Sequence, residues 1–443
     1  MSKIFPLLLV VFVSLSKFSY SQFSLPLGIL KHQLQQNSPP SYDSSELYFK
    51  LFTKEGLIYL NPVYQLLLNS EKMKAGMGEE GFYDNASQWI SFTGDYKTSN
   101  ALAETERDTL TLRSIKHIEQ VITSYKGSRH VDAKQYILNK AHNFRIIMIN
   151  EAHHNPLHRA FTFSLLDDLY KQGYRYFAME TFNNHPFHIL DRVSGVLTGT
   201  YTCEPIGGEL VRHALKLGYK LISYEDTVYK AGRTSTQRDS AQANHLYQVF
   251  EKDSKAKILI HAGYGHISRK STDEYIPLGA ALYSLTSTPY LSIDQVAYSE
   301  GNNYVYERTR YNSYLKKYPI ERPAIALRKN DEVNLFDTSL YDLNVIHPKT
   351  KYEDERPDWA ALNGYRKKYV IGRSLISSKT FFVQAYYQKE ILNNKMENLV
   401  PADQTYCKTS RGEYVLYLQK DNYTLIFRDA FYNVIRTVKV KVI

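Results

Sequence analysis

The stretch 144–180 constrains the fold of this chain more than any other part of the sequence. Residues 146–149 form an unbroken apolar run of strand length, and Asn155-Pro156 then suits the first turn of a helix that Gly173 would close. A second apolar run follows at 176–179. Strand–helix–strand units of this kind are almost always right-handed with parallel strands, so the polar residues after both strands are expected at one edge of a sheet.

The same unit repeats further along the chain. Helical patterns at 208–217 and 236–250 lead into apolar runs at 220–223 and 258–260, and a further strand is expected at 290–293. Strands and helices that alternate at these lengths are typical of an α/β fold. The prediction is a layered, mainly parallel sheet with helices on both faces. Such sheets bind their ligands beyond the carboxyl ends of the strands.

The sequence pattern changes on either side of this α/β domain, which is assigned to 141–336. Residues 22–140 are mostly polar with helical spacing, and they predict a helical lead-in packed on the main domain. Residues 337–443 begin with a proline-containing connection and predict a linker followed by a small all-β C-terminal module. Strands of this module are expected at 381–387, 413–419, 423–428 and 434–442. The module could pack on the main domain or contact a protein or a carbohydrate.

The first 21 residues have the pattern of a secretory signal peptide. Lys3 precedes an apolar run at 4–13, and small residues then lead to a cleavage site expected after Ser21. No later run is long and apolar enough to cross a membrane. The mature chain is therefore predicted to be secreted or periplasmic, without an integral membrane segment.

Composition narrows the range of partners. The formal net charge of +10 is spread along the chain, which argues against a nucleic-acid site and leaves a small-molecule substrate as the expected partner. Cys203 and Cys407 lie far apart in the sequence, and burial of both thiols is a simpler interpretation than a disulfide. Neither cysteine belongs to a metal-binding cysteine pattern.

Ionisable residues follow four of the predicted strands, and no serine or cysteine nucleophile stands at a turn among them. They are Glu151, His153, His154, Glu180, Glu225, Asp226, His261 and His266. A histidine held by a carboxylate can deprotonate water for attack on a carbonyl carbon. Alternatively, histidines with a glutamate can bind a metal ion that lowers the pKa of bound water to about 7. Arg238 could stabilise an oxyanion nearby, or merely pair with Asp239 or Glu225.

Four segments of the α/β domain resemble one known superfamily. They are NEAHHNPLHR at 150–159, the strand that ends in Glu180, RDSAQANHL at 238–246 and ILIHAGYGH at 258–266. As an ordered set they resemble the erythromycin esterase and haem-binding uptake superfamily, to which Tiki-type metalloproteases are also related. The resemblance covers residues 140–300 and leaves the helical lead-in and the β module unaccounted for.

The resemblance implies roles for individual residues. The first motif of the superfamily, Gly-x-x-His, falls on Asn150-Glu151-Ala152-His153, so His153 is the expected base and Glu151 a further catalytic candidate. Glu180 would orient that base or share its proton. His266 would polarise the substrate carbonyl, and Arg238 matches an arginine that opens the helix before the last motif. These roles imply an exported hydrolase of esters, lactones or amides that requires no cofactor.

Two positions depart from the pattern of the esterase branch. Asn150 stands in place of the glycine, and Tyr264-Gly265 stands where the esterase branch has an asparagine. The haem-uptake branch therefore remains an alternative, with His153 or His154 and Tyr264 as ligands of haem iron. In a third, Tiki-like alternative, His153, Glu180 and His261 would bind a divalent metal. A scaffold that only binds a partner through its β module is the fourth, since a shared fold does not fix function.

Overall fold

The computed structural model describes residues 25–36, 48–53, 56–105, 109–182, 198–226, 232–330, 332–334, 339–407 and 413–443. The predicted signal peptide at 1–21 lies outside the described residues. The N-terminal lead-in is mainly helical, as its sequence predicts. Its elements are α1 (Leu25–Gln36), β1 (Phe52–Thr53), β2 (Gly56–Leu57), α2 (Asn61–Ser91), α3 (Tyr96–Ala103), α4 (Leu112–Ser124), β3 (Arg129–Asp132) and α5 (Ala133–Ala141).

The α/β domain alternates strands and helices in the predicted order. Its elements are β4 (Ile146–Glu151), α6 (Leu157–Lys171), β5 (Tyr176–Met179), α7 (Pro205–Leu217), β6 (Lys220–Ile222), α8 (Ser235–Lys252), β7 (Ile258–Gly263), α9 (Leu278–Thr286), β8 (Tyr290–Asp294), α10 (Val305–Lys317), β9 (Ala324–Leu327) and β10 (Leu343–Asn344). Six of these strands form one sheet in the order β10-β8-β4-β7-β5-β6, and every neighbouring pair is parallel. The edge strand β10 follows residue 336, so the sheet continues past the boundary expected there.

Helices cover both faces of this sheet, which confirms the predicted layers. Ile147 and Ile149 of β4 pack in a cluster with residues of α5, α6 and α7, whereas Ile146 and Met148 pack with residues of α8 and α9. Alternate side chains of a strand point to opposite faces, so a strand covered on both sides is apolar throughout. This explains the unbroken apolar run in β4, all of whose residues are buried.

The C-terminal segment is dominated by antiparallel strands, as predicted. Its elements are β11 (Tyr352–Glu353), β12 (Arg356–Pro357), β13 (Lys367–Val370), β14 (Phe382–Tyr387), α11 (Gln388–Ile391), β15 (Asp403–Tyr406), β16 (Val415–Leu418), β17 (Asn422–Arg428) and β18 (Val434–Lys441). Four strands pair in the order β15-β14-β17-β18, and β13 pairs with β16. Cys203 and Cys407 are both buried and do not form a disulfide. Within the described ranges, no helix combines the length and the apolar character needed to cross a membrane.

Candidate functional site

The parallel strands bring the expected site residues to one edge of the sheet. Glu151 ends β4 and lies beside Gly263 at the end of β7, while the backbone N–H of Glu180, just after β5, donates to the His261 carbonyl at 2.9 Å. Three strand ends are therefore in lateral contact. The residues predicted to catalyse hydrolysis lie at this edge and are linked by contacts with one another. They are Glu151, His153, Glu180, Arg238 and His266.

Glu151 is the centre of a buried network of hydrogen bonds. Arg159 of α6 donates to both oxygens, from Nε to Oε2 at 2.7 Å and from Nη2 to Oε1 at 2.9 Å. His261 Nε2 donates to Oε2 at 2.7 Å, and His153 Nδ1 donates to Oε1 at 3.0 Å. Burial opposes ionisation, but the charges of Arg159 and His261 outweigh it and hold the pKa of Glu151 well below its usual value. Glu151 is thus an ionised carboxylate that orients its neighbours.

The contact with Glu151 fixes the tautomer of His153. A carboxylate only accepts hydrogen bonds, so Nδ1 of His153 carries the hydrogen and the lone pair of Nε2 is directed away from Glu151. The imidazole stacks on the Tyr201 ring at 4.1 Å between centroids, and the Tyr264 ring stands edge-on at 5.0 Å. The side chain keeps 15% of its surface exposed. His153 therefore has the orientation and access that a general base needs.

Gly263 allows His153 and Glu180 to converge. The backbone N–H of Gly263 donates to Glu180 Oε2 at 2.6 Å. A Cβ placed on Gly263 would lie 2.6 Å from His153 Nε2 and 2.8 Å from Glu180 Oε2, closer than real Cβ contacts. Only glycine at this position leaves room for both side chains. The basic nitrogen of His153 and the carboxylate of Glu180 consequently lie together over the end of β7.

Arg238 connects Glu180 with the end of the third strand. It lies in the first turn of α8, and its Nη2 donates to Glu180 Oε1 at 2.8 Å and to Glu225 Oε1 at 2.9 Å. Gln242, one turn further along α8, donates to Glu225 Oε2 at 3.0 Å. Of the partners expected for Arg238, the structure thus assigns Glu225. About one third of the Arg238 side chain (35%) remains exposed and can meet a ligand.

His266 forms a second histidine–carboxylate pair. Its Nδ1 donates to Asp239 Oδ2 at 2.7 Å, and the same oxygen accepts from the Tyr275 hydroxyl at 2.6 Å. On the other side of the ring, Nε2 lies 3.8 Å from Glu180 Oε1 and 3.3 Å from Arg238 Nη1. Burial works to lower the pKa of His266, but the hydrogen bond to Asp239 and the charge of Glu180 prevail and raise it. The ring therefore keeps its proton to a higher pH than an ordinary histidine does.

Asn150 holds the turn that follows β7. Its Nδ2 donates to the Tyr264 carbonyl at 3.0 Å and to Asp294 Oδ1 at 2.7 Å. Tyr264 has a φ of 44°, a left-handed conformation that is uncommon for a bulky residue and is typically retained where the surroundings enforce it. A glycine at position 150 could not make these bonds. The departure from the superfamily pattern therefore has a structural role, because it anchors the segment between Gly263 and His266.

Two predicted ligand residues have other partners. His261 is fully buried, with Nε2 bonded to Glu151 and Nδ1 hydrogen-bonded to Thr162 Oγ1 at 3.1 Å, so both nitrogens already have partners other than a metal shared with His153 and Glu180. His154 donates from Nε2 to the Gly301 carbonyl at 2.5 Å, and burial lowers its pKa to about 4. A buried ring committed to a backbone carbonyl does not fit an axial haem ligand paired with Tyr264.

A search of the described residues for three or more His, Cys, Asp or Glu side chains arranged to hold a metal finds no such group. The metal set of His153, Glu180 and His261 is not assembled there as expected. The reason is the direction of His261, whose ring points to α6 and the buried side of Glu151 rather than across the strand ends.

Sequence reasoning missed the residues that orient the catalytic candidates. Arg159, Tyr201 and Tyr275 were not expected to take part, and Asp239 was expected only as a partner of Arg238. Arg159 stands six residues after His153 on α6, and a helix that begins beside a strand end directs part of its first turn to that end. That spacing was the available signal for Arg159. Tyr201 and Tyr275 come from separate loops, and no local pattern marks them.

Glu180 links the site to the stability of the fold. Although burial opposes it, the charges of His153, His266 and Arg238 lower the pKa of Glu180 to about 2. A carboxylate whose pKa is depressed by folding adds stability above its unfolded pKa, and that stability is lost as the pH falls towards the folded value. We expect Glu180→Gln to lower the free energy of unfolding at pH 7 by on the order of 3 kcal/mol, with the deficit narrowing between pH 4.5 and 2.

Urea unfolding across this pH range measures the effect. Glu71→Gln is the matched control, because Glu71 is 85% exposed and pairs only loosely with Lys74 at 3.5 Å. Its unfolding free energy should follow that of the wild type at every pH. A Glu180→Gln deficit that stays constant from pH 7 to pH 2 would show that the carboxylate charge does not stabilise the fold.

Comparisons with known proteins find little. No family model and no curated protein matches the chain. A solved structure described as bacterial protein toxins aligns at 15% identity over 65% of this chain and 58% of the toxin chain, with a TM-score of 0.27. RRSP, a MARTX toxin effector domain from Vibrio vulnificus CMCP6, aligns at 14% identity over 63% of this chain and 56% of its own, with a TM-score of 0.28.

These alignments span little more than half of the toxin chains. TM-scores this low carry no argument about fold or activity. The resemblance to the esterase and haem-uptake superfamily stays a prediction from the sequence motifs.

Proposed function

We propose that this protein is an exported hydrolase in which His153 removes a proton from water for attack on the carbonyl carbon of an ester, lactone or amide. The observation that carries the proposal is the pairing of two histidines with separate carboxylates around a shared Glu180. His153 is held by Glu151, and His266 by Asp239. Each carboxylate holds its ring through Nδ1 and leaves the two Nε2 atoms directed into the same site.

The protonation state of each residue determines its role in the proposed reaction. His153 Nε2 accepts a proton from water while the water oxygen bonds to the carbonyl carbon, and negative charge develops on the carbonyl oxygen. His266, whose pKa is raised, acts in its protonated form together with Arg238, and the two cationic donors stabilise this oxyanion. When the tetrahedral intermediate collapses, the proton on His153 passes to the leaving alkoxide or amine. The acyl group keeps the water oxygen, and no covalent enzyme intermediate forms.

Glu180 balances the positive charges in this sequence of steps. Its pKa of about 2 keeps it ionised throughout the neutral range, so it stabilises the imidazolium that forms on His153 after proton transfer. It also holds Arg238 in place through the 2.8 Å contact at Oε1. Without the charge of Glu180, protonated His153, His266 and Arg238 would be three cationic groups with no anion between them.

A panel assay tests the proposed reaction. The purified mature chain is incubated with esters, lactones and amides, and released acid is measured before and after treatment with a chelator. The same sample is examined for bound metal and titrated with haem. We expect hydrolysis that a chelator does not remove and no Soret band that depends on His154. Hydrolysis abolished by chelation, or a haem band lost in His154→Ala, would replace the proposal by one of the alternatives.

The export part of the proposal has its own test. N-terminal sequencing of the protein recovered outside the cytoplasm should begin at Gln22, directly after the expected cleavage site. Retention of residues 1–21 in that protein would show that this segment is not a cleaved signal peptide.

The role of His266 predicts a specific change in the pH profile. Asp239→Asn keeps an oxygen near Nδ1 but removes the charge that raises the pKa of His266. A catalytic cation loses activity as the pH rises through its pKa, so the alkaline limb of kcat/KM should move down by about one pH unit in this variant. The acid limb should stay in place, since it reports on other groups.

Steady-state kinetics from pH 5 to 10 measure both limbs. Asp253→Asn is a suitable control, because Asp253 ends α8 beside Tyr176, far along the helix from Asp239. An alkaline limb that is unchanged in Asp239→Asn would mean that His266 does not act as the cationic group.

A further inference from the structure

A cavity lies apart from the strand ends that carry the candidate site. Its volume is about 570 Å³, within the range of roughly 300–1,000 Å³ that small-molecule sites occupy. It is bounded by α6 and by residues 321–323, 348–350 and 358–364. The described residues that line it include none of the groups assigned above to hydrolysis. A ligand in this cavity would therefore bind independently of the proposed hydrolysis.

The position of the cavity follows from the two faces of α6. Leu157, Phe161 and Ser164 line it, and at 3.6 residues per turn they lie along one side of the helix. Arg159 and Thr162 lie on the opposite side, where they contact Glu151 and His261. One helix thus separates the catalytic network from the cavity, and the cavity side presents an apolar surface.

The wall of the cavity that faces α6 has a strained backbone conformation. Leu362, Asn363 and Gly364 have φ values of 50°, 54° and 85° in succession. The left-handed conformation costs a residue with a side chain about 1–2 kcal/mol, and such residues concentrate at ligand-binding surfaces. Trp359 completes this wall, with its indole N–H donating to Thr350 Oγ1 at 3.1 Å. The wall is therefore both aromatic and fixed in place.

Two cations at the cavity have only loose carboxylate partners. Arg322 lies 4.0 Å from Asp132 with 78% of its side chain exposed, and Lys349 lies 3.9 Å from Glu300 with 51% exposed. Lys349 Nζ also lies 4.6 Å from the centre of the Tyr311 ring, a neutral partner that does not neutralise its charge. The separations from the carboxylates exceed the 2.7–2.9 Å of a good charge-assisted hydrogen bond, so both cations can accept a further anionic partner. The third cation, Lys134, is already paired with Asp168 at 2.9 Å.

Two of the three carboxylates among the described residues of the lining accept hydrogen bonds from the backbone. Asp132 accepts from the backbone N–H of Gln135 at 2.9 Å and caps α5, and Asp358 accepts from the backbone N–H of Trp359 at 2.9 Å. Glu321 is solvent-exposed. Apart from Glu321, the charged groups best able to gain a new partner are thus Arg322 and Lys349, which lie beside the apolar side of α6.

We propose that this cavity binds a small amphipathic organic anion. The ring or hydrocarbon part of the ligand packs against Leu157, Phe161 and Trp359, and its carboxylate or sulfonate meets Arg322 and Lys349. The apolar side of α6 contributes one wall of the contacts, and the two cations determine the charge of the ligand.

A pair of fluorescent probes tests this site in the whole mature chain. One is 1-anilinonaphthalene-8-sulfonate, and the other is N-phenyl-1-naphthylamine, which has the same rings without the sulfonate. We expect saturable binding of the sulfonate at one site, and binding of the neutral probe weaker by about tenfold or more. Reversal of both cations in Arg322→Glu/Lys349→Glu should weaken sulfonate binding by a similar factor.

Two further variants keep the test decisive. Lys126→Glu/Lys329→Glu makes the same change in charge at exposed positions outside the lining, and its sulfonate affinity should equal that of the wild type. Ser164→Phe places a ring in the cavity and should abolish binding of both probes while circular dichroism shows the native fold. Equal affinity for the two probes, or sulfonate binding that survives both Ser164→Phe and the double charge reversal, would overturn the proposal.

Discussion

His153→Ala is expected to reduce kcat for the best substrate of the panel by a factor of about 10³, with little change in KM. The reason is that the imidazole accepts the proton of the attacking water only in the transition state, so its loss affects the chemical step more than binding. The ring is 15% exposed and lies at the surface of the buried network. Its removal leaves Glu151 with its bonds to Arg159 and His261, and the fold should be retained.

The matched control for this prediction is His142→Ala. His142 is exposed at the end of α5, away from the strand ends, and its removal should leave kcat and KM unchanged. Thermal melts of both variants establish that they are folded. Turnover by folded His153→Ala at the wild-type rate would remove His153 from the mechanism, and a loss of activity only through unfolding would identify it as a structural residue.

Arg159→Met is expected to be the most destabilising of the changes considered. The Arg159 guanidinium is fully buried and donates to Glu151 at 2.7 Å and 2.9 Å and to Glu204 at 3.4 Å. Methionine fills a similar volume but leaves two buried carboxylates without their cation. Removing one partner of a buried ion pair costs about 3–5 kcal/mol, so the variant should lose this much stability at pH 7.

The pH dependence of that loss follows from the sign of the pKa change. Burial already raises the pKa of Glu204, and without Arg159 both carboxylates would be protonated more readily in the folded state. A group whose folded pKa is raised stabilises the protein below its unfolded pKa, and this contribution is lost as the pH rises. The deficit of Arg159→Met should therefore be largest near neutral pH and smaller near pH 4.5.

Urea unfolding at pH 7 and pH 4.5 measures both quantities. Arg113→Met, on the exposed side of α4, is the control and should be within about 0.5 kcal/mol of the wild type. Arg159→Lys keeps the charge but cannot donate to two oxygens of Glu151 in the same planar geometry. Its free energy of unfolding should lie between those of Arg159→Met and the wild type. Wild-type stability in Arg159→Met, or a deficit that grows on acidification, would contradict the role of Arg159.

The order of strands and helices could be predicted because local patterns determine it. The apolar runs of β4 and β7 are long, continuous and buried on both faces, so periodicity identifies them without reference to the rest of the chain. The start of α7 at Pro205 was expected three residues later. Glu204 caps this helix by accepting from the backbone N–H groups of Ile206 and Gly207, and an ionisable residue beside a proline is a weak signal of a helix start.

Pairings between distant segments were beyond the reach of local pattern. The strand β10 has only two residues, and β3 pairs with β9 across about two hundred residues of chain. Short strands show no measurable alternation, and their positions depend on tertiary contacts. The boundary expected at residue 336 missed β10 for this reason.

The site was predictable to the extent that strand ends supply it. Glu151, His153 and Glu180 follow directly from the carboxyl ends of parallel strands. The contacts of His261 and His266 differ because the two residues lie on different parts of the chain, His261 within β7 and His266 in the turn after it. A side chain within a strand points to one face of the sheet, here towards Thr162, whereas a turn residue can reach across the edge. This distinction could have been drawn from the length of the apolar run.

Single-turnover hydrolysis in H₂¹⁸O, with enzyme in excess over the best substrate of the panel, tests the proposed mechanism. If water attacks the carbonyl carbon directly with His153 as base, the acid released in the first turnover carries one ¹⁸O atom and the mass of the intact enzyme is unchanged. Acid without ¹⁸O, together with ¹⁸O incorporated at Glu180 or Glu151, would show that a carboxylate is the nucleophile and would contradict the proposed mechanism.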